Sequence, residues 1–406
     1  MSGKPVVAVV FGGPSTEHDV SILTGLQILD AIDSSRYDTL PVYVTLEGHW
    51  YVGDALRSRR NYLPGEAVRK TLDRVFLPVG GAPEEVADGR WRLVSAAARS
   101  LLGRKPRSYA FDVVVPAFHG TGGEDGSFQG LLNTLGVPYV GCDVLPAAVS
   151  MNKAVAKALI RAVGVPVLPA IAVPRPSGAG FASLGELAAR VDMPFPVCVK
   201  PCNLGSSVGV SQADDRAGLE AALSTVFKFD TAALVETFVP DLVEYNVAVT
   251  RALGETRVSA IERPIRKEKL LDFRDKYLSG GDADSKLAIP FSEGLASATR
   301  VINPPELTPA RQEQIRTWAI RAFEALDARG SARIDFLCNG TTGEIWLNEV
   351  NTIPGSLGYY LWENANPPVS FPALLSALLE EAIETARARQ RVTDPVQANA
   401  GVFKRS

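Results

Sequence analysis

The sequence predicts an α/β protein that opens with a parallel sheet. Three observations carry this. Apolar runs at residues 6–11 and 113–118 are nearly continuous, the pattern of strands covered on both faces. Strand-like and helix-like segments alternate through roughly the first 145 residues. The chain has 406 residues, 46% of them hydrophobic, enough for two or three domains with cores of their own.

PVVAVVFGG is the first strand. Helical spacing follows over residues 21–32, with Ile22, Leu23, Leu26, Ile28 and Leu29 apolar. DTLPVYVTL is a second strand, and AFDVVVPAFHG a third that ends on a polar tip. Residues 57–107 are richer in charge, Gly and Pro, and read as an insertion of short strands and loops. From about residue 145 the pattern changes. MNKAVAKALIRAVGVPV is an amphipathic helix stopped by Gly and Pro. FPVCVKPCNLGSSVGV is strand, Gly-rich loop, strand; LGELAARV and GLEAALSTVF are helices; AALVETFVP and EYNVAVTRAL are strands. Residues 255–300 hold the charged stretch RKEKLLDFRDKYLSGGDADSK, with few apolar anchors, and a mobile loop is expected at about 262–285. A long helix covers 308–326. RIDFLC and EIWLNEV are strands joined by the turn NGTTG. SFPALLSALLEEAIETARARQ is the last helix, and the tail 391–406 is expected to be disordered. Domain limits are expected near residues 143 and 237, giving units 1–143, 144–237 and 238–390.

The net charge is −3, so the field alone suggests neither a nucleic-acid nor a membrane partner. No apolar run reaches the roughly 18 residues of a membrane span. The first apolar stretch is shorter than a signal-peptide core and is followed by turn residues, so the protein is read as cytoplasmic. The four cysteines, Cys142, Cys198, Cys202 and Cys338, lack metal-site spacing and are read as reduced thiols. With only His18, His49 and His119 present, a histidine-rich metal centre is excluded.

The run IWLNEVNT places Glu349 and Asn351 two apart, hence on one face of a strand. RIDF, the strand before the turn, brings Asp335 near Glu349, with Arg333 on the face of Asp335. Unpaired carboxylates in a low-dielectric site are costly. A divalent cation with oxygen ligands resolves this, as does an ion pair between Arg333 and one acid. KPCNLGSSVGV presents backbone N–H groups to an anion, led by Lys200, or is an ordinary hairpin. In FGGPSTEHDVS two glycines end a strand and a helix opens. Glu17 there is either a first-turn acid or a group at an anion-attracting terminus. FHGTGGEDGSFQG follows a strand at the edge where open α/β sheets bind ligands, and His119 there is a packing, capping or catalytic residue.

Taken in order, GGPSTEHDVS, HGTGGEDGSFQGLLNTLGVPYVGC, SMNK, KPCNLGSSVGV, VETFV, DFRDKY, RIDF and NEVNTIPG resemble the D-alanine–D-alanine ligases of the ATP-grasp superfamily, over about residues 5–385. The resemblance implies a three-domain ATP-grasp fold, ATP and two Mg²⁺ ions (Mn²⁺ as an alternative), amino-acid substrates and a homodimer. It implies that Lys153 and Lys200 contact the ATP phosphates or adenine edge. Glu236 would accept from the adenine amine, Glu244 would bind the ribose, and Phe238 and Val239 would line the adenine slot. Lys276 would reach the γ-phosphate, and Asp335, Glu349 and Asn351 would hold the metal. Arg333 and the Gly355 N–H would stabilise the oxyanion. Glu17 would bind the first ammonium and form a trio with Ser206 and Tyr277; His119 would lie close to the first substrate.

The sequence departs from that family after the metal strand. PGSLGYYLWEN has Ser356 four residues early and Tyr360 where a serine is usual for binding the second substrate's carboxylate. Tyr359, Tyr360 and Trp362 are either core aromatics of a helix start or residues that reshape the acceptor pocket. Leu271, Asp272 and Phe273 replace the common aromatic-Asp-aromatic run. The activity expected is ATP-dependent joining of two D-alanines for peptidoglycan precursor synthesis. The alternatives are a related ligase with another amine acceptor and a non-catalytic nucleotide-binding module. An ester-forming variant is set aside, because no histidine lies between 255 and 300.

Overall fold

In the computed structural model the chain is described over residues 3–62, 71–79, 90–96, 107–176, 183–205, 208–265 and 300–399. The strongest apolar run, VVAVVFG, forms β1 (Val6–Gly12) at the heart of a seven-stranded sheet. Its neighbours β2 (Asp38–Val44) and β7 (Val113–Pro116) run parallel to it. The expected parallel sheet is therefore confined to three strands. Beyond β2 the sheet continues antiparallel through β3 (Trp50–Val52), β4 (Asp73–Phe76), β5 (Trp91–Ser95) and β6 (Ser108–Phe111). Two of those four strands, β4 and β5, come from the 57–107 insertion, whose short segments can hairpin but are too short to cross over.

Helix α1 (His18–Ala31) covers β1 at close range. A Cβ at Gly25 would lie 2.4 Å from the Phe11 ring, so only glycine admits this approach. α2 (Ser127–Leu135) follows β7.

A second sheet has the order β10-β9-β11-β8, all antiparallel. Its strands are β8 (Ala170–Pro174), β9 (Val197–Pro201), β10 (Ser211–Ala213) and β11 (Ala232–Thr237). Helices α5 (Leu184–Arg190) and α6 (Arg216–Val226) bury Leu187, Leu219 and Leu223 with its strand residues. Two helices lead into it, α3 (Val144–Met151) and α4 (Lys153–Ala162). Asn152 breaks them apart. Its extended backbone and its side chain, which accepts from the Val155 N–H, cap α4 and set Lys153 at the first helical position.

The third sheet runs β14-β13-β12-β15-β16, again antiparallel. Its members are β12 (Leu242–Thr250), β13 (Arg257–Pro264), β14 (Arg300–Ile302), β15 (Ala332–Asn339) and β16 (Ile345–Asn351), with α7 (Pro309–Ala325) packed on one face. The expectation of a loop from about 262 needs correction. Residues 257–264 are a strand because Ala260 and Ile261 are buried, and Glu262 is buried with them by pairing with Arg300 at 3.1 Å. The rest of that expected loop, 266–285, lies outside the described residues.

α8 (Tyr359–Glu363) and α9 (Phe371–Asn399) close the chain. α9 continues to Asn399, past the expected boundary at 391. One core joins the ends of the chain: Val7, Phe11 and Leu26 pack with Leu361, Trp362, Leu374 and Leu378. Trp362 is thus a core aromatic, fully buried, with its indole N–H donating to Ser331 Oγ at 3.0 Å. Among the described residues no helix is long and apolar enough to cross a membrane.

Candidate active site

The antiparallel ladder of β15 and β16 sets Asp335 opposite Glu349 and Arg333 opposite Asn351. All four expected side chains therefore share one patch. The register shifts after Asp335, where Asn348 is the extra residue of a bulge. In a regular strand Asn348 would point away from Glu349. Here its Oδ1 accepts from Lys200 Nζ at 2.8 Å. Lys200 comes from β9, so this bond joins the second sheet to the third.

Arg333 grips Asp335 with two bonds, Nε to Oδ1 at 2.7 Å and Nη2 to Oδ2 at 2.8 Å. Asn351 Nδ2 donates to the same Oδ2 at 2.8 Å. The ion-pair alternative for Arg333 is thus realised in this conformation. Burial still pushes the Asp335 carboxyl up against the pull of Arg333, with Glu349 and Glu244 adding like charge. Among the described residues no three His, Cys, Asp or Glu side chains form a metal cluster. The set fits Mg²⁺ nonetheless. That ion takes one or two carboxylates and completes its shell with phosphates and water, and two oxygen acids with Asn351 are of that type. A cation here would offset the burial, and the smaller push of Glu349 and Glu244, that raise Asp335.

The lysines form a second group. Lys153 Nζ stands 3.3 Å from Glu349 and donates to the Leu204 carbonyl at 2.7 Å, in the Gly-rich loop. Lys200 Nζ lies 2.5 Å from Glu236 Oε1, and Lys157 Nζ lies 3.2 Å from Glu236 Oε2. Burial alone would raise Glu236, but Lys200 and Lys157 outweigh it and hold the carboxyl below its ordinary range. Burial disfavours the Lys200 ammonium, yet Glu236 holds it above the usual lysine value. Three residues on from Glu236, Val239 packs with Leu168 and Leu337, flanked by Leu242 and Trp346, in a small apolar cluster. Phe238 is half-buried next to it, and Glu244 lies on β12 opposite Leu337.

The third group hangs from the N-terminal sheet. Glu17, buried, precedes α1, and its carboxylate packs between two glycines. A Cβ at Gly120 would be 2.7 Å from Glu17 Oε2, and one at Gly205 would be 3.2 Å away. Gly120, at φ +75°, thus permits both the turn and the approach. Gly205 belongs to the Gly-rich loop, so two expected motifs meet at Glu17. His119 Nε2 pairs with Thr24 Oγ1 at 2.8 Å. Burial, helped by the Arg333 charge, lowers its pKa to about 4. Ser356 leans on the same helix, its N–H donating to Thr24 Oγ1 at 3.3 Å and its hydroxyl to Gln27. Ser356 and Leu357 have φ of 51° and 55°, a left-handed turn uncommon for residues with side chains. A Cβ at Gly355 would meet nothing within 4 Å, so that backbone faces open space.

Tyr360 is placed differently from a carboxylate-binding serine. Its hydroxyl donates to Glu262 at 2.9 Å, and the Arg300 guanidinium lies 4.0 Å over its ring. Tyr359 stacks on Phe371. Ser206, Lys276 and Tyr277 lie outside the described residues.

Sequence reasoning missed four polar residues. Lys157 follows Lys153 by one helical turn, and that spacing was the available signal. Asn348 had none, because it depends on the bulge. Glu124 stood in a quoted motif; its carboxylate accepts from the Gly120 N–H at 2.6 Å, and burial with the Glu17 charge raises its pKa to about 8. Glu262 was hidden in the expected loop.

Residues 6–142 match the family model of the D-Ala D-Ala ligase N-terminus, and residues 159–380 that of its C-terminus. The D-alanine–D-alanine ligase of Pelodictyon phaeoclathratiforme is 35% identical over 387 residues, covering 94% of this chain and 98% of the relative. That of a Methylobacterium species is 37% identical over 390 residues, covering 93% and 91%. Among solved structures, the Coxiella burnetii D-alanine-D-alanine ligase superposes with a TM-score of 0.74 at 26% identity, covering 98% of this chain and 99% of the other. The VanG D-Ala:D-Ser ligase of Enterococcus faecalis gives 0.71 at 25%, covering 94% and 100%. With both halves matched across nearly the whole length, the chain belongs to the D-alanine–D-alanine ligase family and has its ATP-grasp fold.

Proposed function

We propose that this protein is an ATP-dependent ligase that joins two D-alanines for peptidoglycan precursor synthesis. The observation that carries the reading is the junction of Lys200 and Asn348, which sets a buried lysine–carboxylate group beside the Asp335–Glu349–Asn351 patch. Curated relatives at 31–37% identity named D-alanine–D-alanine ligase favour D-alanine as the acceptor.

A carboxylate is a poor electrophile. Transfer of the γ-phosphoryl group from ATP to the first D-alanine makes an acyl phosphate and releases ADP. The amine of the second D-alanine then attacks the acyl carbon, loses a proton and expels phosphate. The residues of this chain orient and neutralise. Lys153 and Lys200 bind phosphate oxygens as ion pairs with Glu349 and Glu236 exchange for them. Lys276 does the same for the γ-phosphate. Asp335, Glu349 and Asn351 hold Mg²⁺, two ions in this reading or Mn²⁺ in their place, which supplies charge neutralisation on the transferring group. Glu236 accepts from the adenine amine in the slot of Phe238 and Val239, and Glu244 binds the ribose. Glu17 binds the first ammonium and links with Ser206 and Tyr277, while His119, neutral, packs beside that substrate. Arg333 and the Gly355 N–H donate to the oxyanion; losing one such donor costs about 3–4 kcal/mol of barrier. Ser356 and Tyr360 border the acceptor end. The units divide near residues 143 and 237, the working form is a homodimer, and the compartment is the cytoplasm.

The test supplies ATP, Mg²⁺ and a panel of amino acids and follows phosphate release. Turnover with D-alanine alone is expected; silence there, with turnover on another amine, refutes the acceptor. Glu349→Gln should abolish turnover at limiting Mg²⁺. Near-normal activity in that variant removes the metal assignment.

A further inference from the structure

Lys157 is buried on α4, in a place the reaction does not require a cation. Its side chain is 4% exposed, and that of its partner Glu236 is 2% exposed. The ammonium stands 3.2 Å from Glu236 Oε2 and 3.5 Å from the Leu347 carbonyl. Burial lowers the Lys157 ammonium below the usual lysine range even with Glu236 beside it. Such a group is expensive to keep, and a hydrophobic side chain would fill the same space at less cost. A second observation concerns the other partner. Glu236 Oε2 is buried and has no aligned hydrogen-bond donor, although the ion pair is close. That oxygen thus keeps acceptor capacity for a ligand donor, on the strand that leads to Val239 and its apolar cluster with Leu168 and Leu337.

Lys200 also neutralises Glu236, but it is shared. It already bonds Asn348 across the cleft, and in the proposed reaction it turns to phosphate. At that moment Glu236 would be a buried carboxylate with one cation left. Without that cation the carboxyl would take up a proton and become a donor.

We propose that Lys157 is a specificity-determining positioning residue: it keeps Glu236 an ionised acceptor, so that the site takes 6-aminopurine nucleotides and rejects 6-oxopurine nucleotides. The inference rests on the reading that Glu236 faces the purine 6-position. An amine there donates to the carboxylate. A 6-oxo group meets it acceptor to acceptor, with the buried charge left unsolvated.

The experiment titrates ADP and IDP, each with Mg²⁺, into the full chain by calorimetry, without amino acids. That readout is separate from the acceptor panel, so failure of the ligase reading and failure of this inference are distinguishable. The wild type should bind ADP at least about 30-fold more tightly than IDP, the scale of a charge-assisted hydrogen bond with an unpaired competitor. Lys157→Met should narrow that ratio about tenfold, chiefly by weakening ADP. Lys157→Gln, which keeps a donor but no charge, should behave like Met and serves where Met does not fold. A wild type that does not discriminate overturns the proposal. So does a ratio preserved in both Lys157 variants, even if both affinities fall, since that is the behaviour of a merely structural lysine. Glu236→Gln separates the premises. A preserved ratio there refutes the adenine assignment, whereas a lost ratio there with a preserved one at Lys157 refutes the role of Lys157 alone.

Discussion

His119 makes the stability of this fold sensitive to acid over a range where most surface groups are silent. The imidazole is 5% exposed, bonded to Thr24, and its pKa falls from 6.5 to about 4 through burial and the Arg333 charge. A depressed folded-state pKa means that the unfolded chain binds the proton more readily. Stability from this group is therefore whole above pH 6.5 and is lost as pH falls toward 4. From those two values the loss is on the order of 1 kcal/mol between pH 7.5 and 5.5, and roughly 2–3 kcal/mol by pH 4.5. His119→Gln keeps a hydrogen-bonding head for Thr24 and cannot titrate. Urea denaturation of both proteins at about pH 7.5, 5.5 and 4.5 measures the difference, since other groups act equally on the two. The variant should be less stable or equal near neutrality and should close the gap by those amounts in acid. Parallel stability curves for the two proteins would refute the buried, neutral histidine.

Other outcomes follow from the packing. Trp362→Ala empties a fully buried site shared by both ends of the chain and removes the donor to Ser331 Oγ, so it should cost about 3–5 kcal/mol in chemical denaturation; a loss below about 1 kcal/mol would contradict that core. Asp230 holds the start of the Gly-rich loop, accepting from the Asn203 N–H at 2.7 Å and its amide at 2.9 Å. Asp230→Ala should raise KM for ATP about tenfold with kcat nearly unchanged, and the opposite split in initial-rate kinetics would deny the loop a binding role.

Sequence spacing was enough for many of the elements and for much of the candidate patch. Residues two apart on a strand share a face, so Glu349 with Asn351, and Arg333 with Asp335, could be paired across the NGTTG turn before any coordinates. Ordered motifs carried the family. Tertiary structure alone decided the rest. The expected parallel sheet shrank to three strands because the insertion hairpins on its edge. A buried Glu262 turned an apparent loop into a strand, since its charge is met by Arg300 and Tyr360 from distant segments. Asn348 reached Lys200 only through a bulge, and Lys157 met Glu236 only when a helix and a sheet packed together. Local periodicity reports which way a side chain points from its own element. Which charge it finds there depends on contacts between residues far apart in the chain, and no window of sequence contains them.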